Sequence, residues 1–311
     1  MNYDVSMLTL IAPDKPHERW LKELRALEPD LPVSIWPDVS PDTEFALCWN
    51  PPEGVFDNLN QLKCICSMGA GVDHILKLSS LPEDVPIVRL VDPSLNQSML
   101  DYVLLCVSQF MLRSTEYQGK QSSAIWQPRL PRLKTKYSIG IMGLGSIGDY
   151  LASSLADMGY QVKGWSKTQK TIDKVETFEA NELGDFISQV NVLMCVLPLT
   201  TETEGILNEE LLMQMPEDSS MINVARGAHL DEADLLRVLE DGPLVEAYLD
   251  VFRQEPLPEV HPFWQHEKIH ITPHVASLTH PRAVAPQVLD NYHRALKGQA
   301  LTNQIDPVKG Y

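Results

Sequence analysis

The chain is short of positive charge. Its 311 residues carry 25 lysines and arginines against 42 aspartates and glutamates, a formal net charge of −17. Such a surface repels nucleic acid and anionic membrane, so neither is expected as a partner. An anionic substrate would need a local basic pocket. Cysteine is also scarce: Cys48, Cys64, Cys66, Cys106 and Cys195 make an odd set of five, with no close CxxC. That argues against a disulfide or zinc framework and for reduced core thiols in a cytoplasmic protein, with no metal site expected. Cys64 and Cys66 have the spacing of two residues on one face of a strand. No apolar run approaches the ~20 residues of a membrane span. The N-terminus lacks the basic start of a signal peptide, and its apolar run is broken by Pro13.

What is present is ordinary globular material, 44% hydrophobic and 22% charged. The length suggests about two domains. Strand-like runs at 7–12, 33–36, 45–49, 64–67 and 87–90 alternate with helix-like stretches and Pro-rich connections. Residues 16–27 are amphipathic, with Trp20, Leu21, Leu24 and Leu27 on one face. Alternation of this kind predicts a parallel sheet covered on both sides. Residues 96–113 differ, being apolar around nearly the whole helix circumference; such a helix is buried within the chain or against a partner subunit. Residues 115–136 are polar and read as a loop or arm. Further strands are expected at 139–142, 160–165, 191–197, 220–224, 246–252 and 268–272, with helices at 149–158, 232–241 and 281–297. This second run of alternation is a second α/β domain.

Residues 137–168 organise the second domain. A short apolar strand enters Gly143-x-Gly145-x-x-Gly148, a helix follows, and a second strand ends on Trp165-Ser166-Lys167-Thr168. Strand, glycines, helix and strand are the context that a dinucleotide fingerprint requires. Gly143 permits the tight turn, and Gly145 with Ser146 and Ile147 lets the diphosphate approach a helix N-terminus. A carboxylate usually closes the second strand of an NAD site, where it binds the ribose hydroxyls. This strand has none until Asp173. A lysine and two hydroxyls would accept a 2′-phosphate, so NADPH is the expected cofactor, with NADH weaker.

Three polar residues follow later strand candidates: Arg226, Glu255 and His274. Ligands in open α/β sheets bind beyond the carboxyl ends of strands. Hydride transfer to a 2-oxo acid needs a cation to hold the carboxylate and polarise the carbonyl, which a guanidinium does with a forked donor geometry. The developing alkoxide needs a proton, which histidine can supply near neutral pH. A carboxylate beside the imidazole favours its protonated form.

Asn-Val-Ala-Arg-Gly (223–227), Leu-Asp-Val-Phe-x-x-Glu-Pro-Leu-Pro (249–258) and Thr-Pro-His-Val-Ala-Ser (272–277) resemble the signature segments of the D-isomer-specific 2-hydroxyacid dehydrogenases. They come in that family's order, downstream of the same kind of glycine turn. The resemblance implies that Arg226 binds substrate, that His274 is the general acid/base and that Glu255 is its partner. It implies two Rossmann-like domains: a flavodoxin-like substrate domain (1–96 with 278–311) and a dinucleotide-binding domain (97–277), with a cleft between them. Two chain crossings would make a hinge whose closure excludes water. By the same resemblance Ala70 and Gly71, in Ser-Met-Gly-Ala-Gly-Val-Asp (67–73), hold the substrate carboxylate through their backbone. Leu197, Pro198, Val224, Ala225 and Asp250 lie along the cofactor. A homodimer is also implied.

Within the family, Cys-Trp-Asn-Pro-Pro (48–52), Gly-Trp-Ser-Lys-Thr (164–168), Leu-Pro-Leu-Thr (197–200), His-Pro-Phe-Trp-Gln-His (261–266) and the terminal Gly-Tyr resemble the bacterial glyoxylate/hydroxypyruvate reductase A group. That implies NADPH-dependent reduction of small 2-oxo acids, with Trp49 walling the substrate pocket. No regulatory segment is expected beyond the second α/β run, unlike the longer phosphoglycerate dehydrogenases. The alternatives are a related dehydrogenase for a bulkier acid such as phenylpyruvate, and a nucleotide-sensing protein akin to corepressors.

Overall fold

A computed structural model describes residues 6–306. The terminal Gly-Tyr lies outside the described residues. The chain divides into two compact units, one from the N-terminal residues to Leu95 together with the segment from Leu278 onward, the other Asn96–Ser277.

The first unit is a five-stranded parallel sheet. Its strands are β1 (Met7–Ile11), β2 (Val33–Ile35), β3 (Thr43–Cys48), β4 (Cys64–Ser67) and β5 (Ile87–Val88), in the order β2-β1-β3-β4-β5. This 2-1-3-4-5 order is the flavodoxin-like winding. Period-two alternation sends neighbouring residues to opposite faces. Cys64 and Cys66 pack with Leu8, Leu10 and Phe45 against α1 (Glu18–Leu27) and the helix Pro281–Leu296. Ile65 points the other way, into a cluster with Phe56, Leu59 and Ile75 under α2 (Asp73–Leu76). In α1 the buried positions are Trp20 and Leu24, four apart, whereas Leu27 at the helix end is exposed.

The second unit begins in α3 (Pro93–Met111) and continues through α4 (Ser114–Ser122), β6 (Ser138–Met142), α5 (Ser146–Asp157), β7 (Gln161–Trp165) and β8 (Val175–Phe178). After these come α6 (Leu183–Ile187), β9 (Val192–Cys195), α7 (Glu209–Leu212), β10 (Ser219–Asn223), α8 (Glu232–Asp241), β11 (Leu244–Leu249) and β12 (Ile269–Ile271). All seven strands run parallel, in the order β12-β11-β10-β9-β6-β7-β8. Strand order reverses between β6 and β9, and a doubly wound sheet binds ligands at such a crevice. One face of the sheet packs on α3 and α5, the other on α6 and α8.

The structure corrects one reading. Residues 114–122 form a helix rather than a loop, although none of them is buried. Its support is ionic: Glu116 pairs with Lys120 one turn on, at 2.7 Å, and with Arg129 at 2.8 Å. The apolar helix α3 is covered within this chain on most of its circumference, but Leu105 and Leu112 stay 54% and 60% exposed. All five cysteines are buried free thiols, and burial pushes Cys195 up to about 12, so they are unreactive core groups.

Candidate active site

The dinucleotide turn forms as its glycines require. Gly143 sits at φ +105, and a Cβ there would meet the Val196 carbonyl oxygen at 3.0 Å. Gly148 is tighter still: its Cβ would lie 1.8 Å from the Gly143 carbonyl oxygen, so only glycine lets α5 start against the strand. Gly145 caps α5, is exposed, and has open space where a Cβ would be. A diphosphate can therefore approach the backbone there, beside exposed Ser146 and half-buried Ile147.

The end of β7 is divided in role. Trp165 is buried in the core, and its carbonyl accepts the Gly143 N–H at 2.8 Å. Its indole packs in the core at the base of the turn that is expected to hold the cofactor's 2′-phosphate end. Ser166 is likewise buried, its hydroxyl donating to the Thr168 carbonyl at 2.8 Å, which shapes the turn. Lys167 and Thr168 are exposed. Lys167 forms an ion pair with Glu202 at 2.7 Å, both side chains more than two-thirds in solvent. Such a pair is worth at most about 1 kcal/mol, so a phosphate dianion can compete for the lysine. The residues present fit a 2′-phosphorylated dinucleotide: open backbone at Gly145, a lysine beyond β7, and no carboxylate within the 165–168 turn.

Arg226, Glu255 and His274 meet at the carboxyl ends of β10, β11 and β12. His274 Nδ1 lies 2.7 Å from a Glu255 carboxylate oxygen. The other Glu255 oxygen accepts the Phe252 N–H at 3.0 Å, which fixes the carboxylate plane. Burial alone would push the Glu255 carboxyl up; the hydrogen bond and charge of His274, with the Arg226 cation nearby, hold it below the usual carboxylate range. Glu255 is therefore ionised beside the imidazole. Gly227 seats the arginine segment, since a Cβ there would come within 1.9 Å of the Phe252 backbone. The Arg226 guanidinium donates to the Ala225 carbonyl at 2.6 Å, and the Asn223 amide holds the Arg226 carbonyl at 3.0 Å. Val224 and Ala225 are buried; Leu197 is buried and Pro198 exposed in the turn beyond β9.

Asp250 is the further residue expected along the cofactor. It is 1% exposed, and its carboxylate is turned inward. It accepts the Val275 and Ala276 N–H groups at 2.9 Å each and the Thr272 hydroxyl at 2.6 Å, while its carbonyl accepts the His274 N–H at 2.8 Å. Asp250 thus builds the turn that presents the imidazole. Nothing in the residue order marked this role, or those of Asn223 and His229, because each depends on which way a buried side chain turns.

In the first unit, Ala70 and Gly71 follow β4 and are half-buried. Ser67 shapes this loop: its hydroxyl donates to the Gly71 carbonyl at 2.6 Å and accepts the Gly69 N–H at 3.2 Å. Trp49 packs beside it, its ring 4.5 Å from that of His74, with Lys15 Nζ 3.4 Å from its centroid. A Cβ on Gly69 would lie 3.2 Å from the indole, so the small residue makes room for the tryptophan. Among the described residues no cluster of metal-ligating side chains occurs, and no helix is long and apolar enough to cross a membrane.

A doubly wound sheet with a three-glycine turn at its crevice and an imidazole–carboxylate pair on its carboxyl edge defines a pyridine-nucleotide oxidoreductase. The chain belongs to the D-isomer specific 2-hydroxyacid dehydrogenase family, whose NAD-binding-domain model matches residues 104–276. It is 39% identical over 302 residues to glyoxylate/hydroxypyruvate reductase A of Yersinia enterocolitica, covering 94% of this chain and 96% of that one. The reductase of the same name from Serratia proteamaculans is 40% identical over 301 residues, with the same coverage. Among solved structures, a D-isomer specific 2-hydroxyacid dehydrogenase from Xanthobacter autotrophicus Py2, in complex with NADPH and MES, superposes with a TM-score of 0.90. It is 37% identical and covers 99% of this chain and 100% of its own. The NADPH-dependent glyoxylate/hydroxypyruvate reductase of Sinorhizobium meliloti, in complex with NADP and sulfate, gives a TM-score of 0.90. Its identity is 32%, over 98% of this chain and 100% of that one.

Proposed function

We propose that this protein reduces small 2-oxo acids with NADPH, glyoxylate to glycolate and hydroxypyruvate to D-glycerate, in the cytoplasm and as a homodimer. The observation that carries the reading is the 2.7 Å pair of His274 and Glu255, with the Arg226 charge beside it, on the sheet edge that bears the glycine turn. The named relatives support the choice of substrate, and the solved relatives the choice of cofactor.

When bound, NADPH would supply the hydride that reduces the carbonyl carbon. Gly143, Gly145, Ser146 and Ile147 would hold its diphosphate, and Ser166, Lys167 and Thr168 its 2′-phosphate end. Arg226 binds the substrate carboxylate and polarises the carbonyl oxygen. His274 delivers a proton to that oxygen from Nε2, the ring atom opposite the one paired with Glu255. Glu255, ionised, holds the imidazole in orientation through Nδ1. Trp49, Ala70 and Gly71 of the first unit contribute to substrate binding. The exposed Leu105 of α3 and Leu112 just after it, with Trp126 at 99% and Leu130 at 87% exposure in the arm beyond α4, are the apolar side chains that the second copy would cover.

The test is a steady-state comparison of NADPH and NADH with glyoxylate, hydroxypyruvate, pyruvate and phenylpyruvate. The expected result is the highest kcat/KM for hydroxypyruvate or glyoxylate with NADPH. Normal NADPH binding without turnover of either acid would overturn the proposal, and a preference for phenylpyruvate would move it to the bulkier class.

A further inference from the structure

His229 stands three residues past Arg226, is 0% exposed, and has been given no part in the chemistry above. Its Nδ1 lies 3.2 Å from the Arg226 peptide nitrogen, and its Nε2 lies 3.3 Å from the Pro198 carbonyl oxygen. A peptide N–H only donates and a carbonyl only accepts. One form of the ring satisfies both: neutral imidazole with the proton on Nε2 and the lone pair on Nδ1. Nδ1 is also 3.1 Å from the Arg226 carbonyl oxygen, but that acceptor is already served by the Asn223 amide and the His229 N–H, at 3.0 and 3.2 Å. The Pro198 carbonyl also accepts the Thr203 hydroxyl at 2.7 Å, which anchors the far end of the link.

We infer that His229 is a positioning residue for the reduction: its Nδ1 accepts the Arg226 N–H and so fixes the main chain that carries the substrate-binding cation, while the Nε2 contact with the Pro198 carbonyl sets the orientation of the ring. The inference rests on the reading of Arg226 as that cation. The arginine side chain starts from a residue whose main-chain N–H and C=O are both held by buried side chains, His229 and Asn223. Without the ring acceptor, the Arg226 N–H loses its partner inside the unit, and the strand end that carries the guanidinium can shift. Misplacing a binding group by about 1 Å is enough to cost a large factor in rate or affinity.

Three variants separate the two ends of the link. Asparagine places a carbonyl oxygen close to the position of Nδ1, so His229→Asn keeps an acceptor for the Arg226 N–H. Glutamine reaches toward Pro198 with a donor, so His229→Gln keeps only the other end. His229→Leu fills the space and keeps neither. The readouts are KM and kcat for hydroxypyruvate at saturating NADPH, the Kd of oxalate (a small dicarboxylate analogue) for the NADPH-loaded protein, and Tm. The Leu and Gln variants should raise the KM and the oxalate Kd about 10-fold, the scale of one buried unsatisfied donor, with kcat changed much less. The Asn variant should stay within about 3-fold of the unmutated protein. A merely structural role would lower Tm in all three and leave KM and oxalate binding alone, which overturns the inference, as would equal losses in Asn and Leu.

Arg226→Ala is run alongside. If the unmutated protein reduces no acid, and oxalate binds Arg226→Ala as well as it binds the unmutated protein, the reading of Arg226 falls. If both behave as assigned but the Leu and Gln variants are normal, only the role of His229 falls. Should the variants fail to fold, imidazole nitrogen resonances of the unmutated protein decide. The assigned His229 ring must show the proton on Nε2 and the lone pair on Nδ1, and the opposite tautomer contradicts the link.

Discussion

His274 stands at φ +53, in the left-handed region that costs a side-chain-bearing residue roughly 1–3 kcal/mol unless its surroundings impose it. Asp250 imposes it, taking the N–H groups of His274, Val275 and Ala276 on its carbonyl and carboxylate. The imidazole is thereby aimed before substrate arrives, and Glu255 fixes its Nδ1 face. Arg226 and His274 should then fail in different ways. Arg226→Ala removes the group that grips the carboxylate, so the KM for the acid should rise by about 100-fold, the scale of a lost charge-assisted pair. His274→Ala should lower kcat by roughly 100- to 10,000-fold while NADPH binds as before. Stopped-flow turnover with a fluorescence titration of NADPH separates the two, and intact turnover in His274→Ala would remove the proton donor from the account. Arg226, Glu255 and His274 could be named as candidates from the sequence because each lies in a distinctive run of residues after a strand, and the structure brings the three together. The orientation of Asp250 was not legible, and His229 and Asn223 were not marked at all. Whether a polar side chain after a strand faces ligand or props up its neighbour is decided by three-dimensional packing.

At the scale of elements, the strands were read within a residue or two in most cases, because buried parallel strands are short apolar runs bounded by turns. Strand β8 was missed, its run Val-Glu-Thr-Phe being too polar at an edge of the sheet. Helix α4 was missed for the opposite reason, since a helix held by ion pairs carries no apolar stripe. One ionic cluster joins several elements. Arg132 in the arm, with a side chain 4% exposed, bonds the Asp218 carboxylate and stacks 3.9 Å over Phe110 of α3. Tyr137 donates to the same carboxylate at 2.6 Å, and Arg113 lies 3.4 Å from it. Burial works to raise the Asp218 carboxyl, but these partners hold it below the usual carboxylate range. The stability it contributes is therefore present above the ordinary carboxylate pKa and is lost as pH falls through the lowered value. Asp218→Ala strands a buried guanidinium and should cost roughly 3 kcal/mol, the low end for a broken buried pair because Asp218 is itself partly exposed. Chemical denaturation at neutral pH measures this, and the deficit of the variant should shrink in acid. A loss below about 0.5 kcal/mol, the scale of an ordinary surface change, would show that the arm is not anchored there.

At the scale of the whole chain, two runs of strand–helix alternation gave two doubly wound parallel sheets, one of 2-1-3-4-5 order and one extended beyond six strands. The amphipathic periods did not reveal which face of α3 stays uncovered, because the helix is apolar nearly all round. The exposed Leu105 marks that face, and exposed Leu112 follows just beyond the helix. If a second copy covers it, sedimentation should find a dimer, and Leu105→Glu should shift the chain toward monomer by burying a charge in an apolar contact. An unmutated protein that sediments as a monomer at micromolar concentration would contradict the homodimer.

The central claim is that this sheet edge directs hydride to the carbonyl carbon of a small 2-oxo acid. Its most direct test supplies NADPH deuterated at both C4 positions of the nicotinamide, with unlabelled hydroxypyruvate, and locates the label in the product by mass spectrometry and NMR. The account predicts D-glycerate carrying one deuterium, bonded to C2, and at least roughly 100-fold less of it when His274→Ala is given the same time. Glycerate without deuterium at C2, or oxidation of the nucleotide with no glycerate formed, would contradict it.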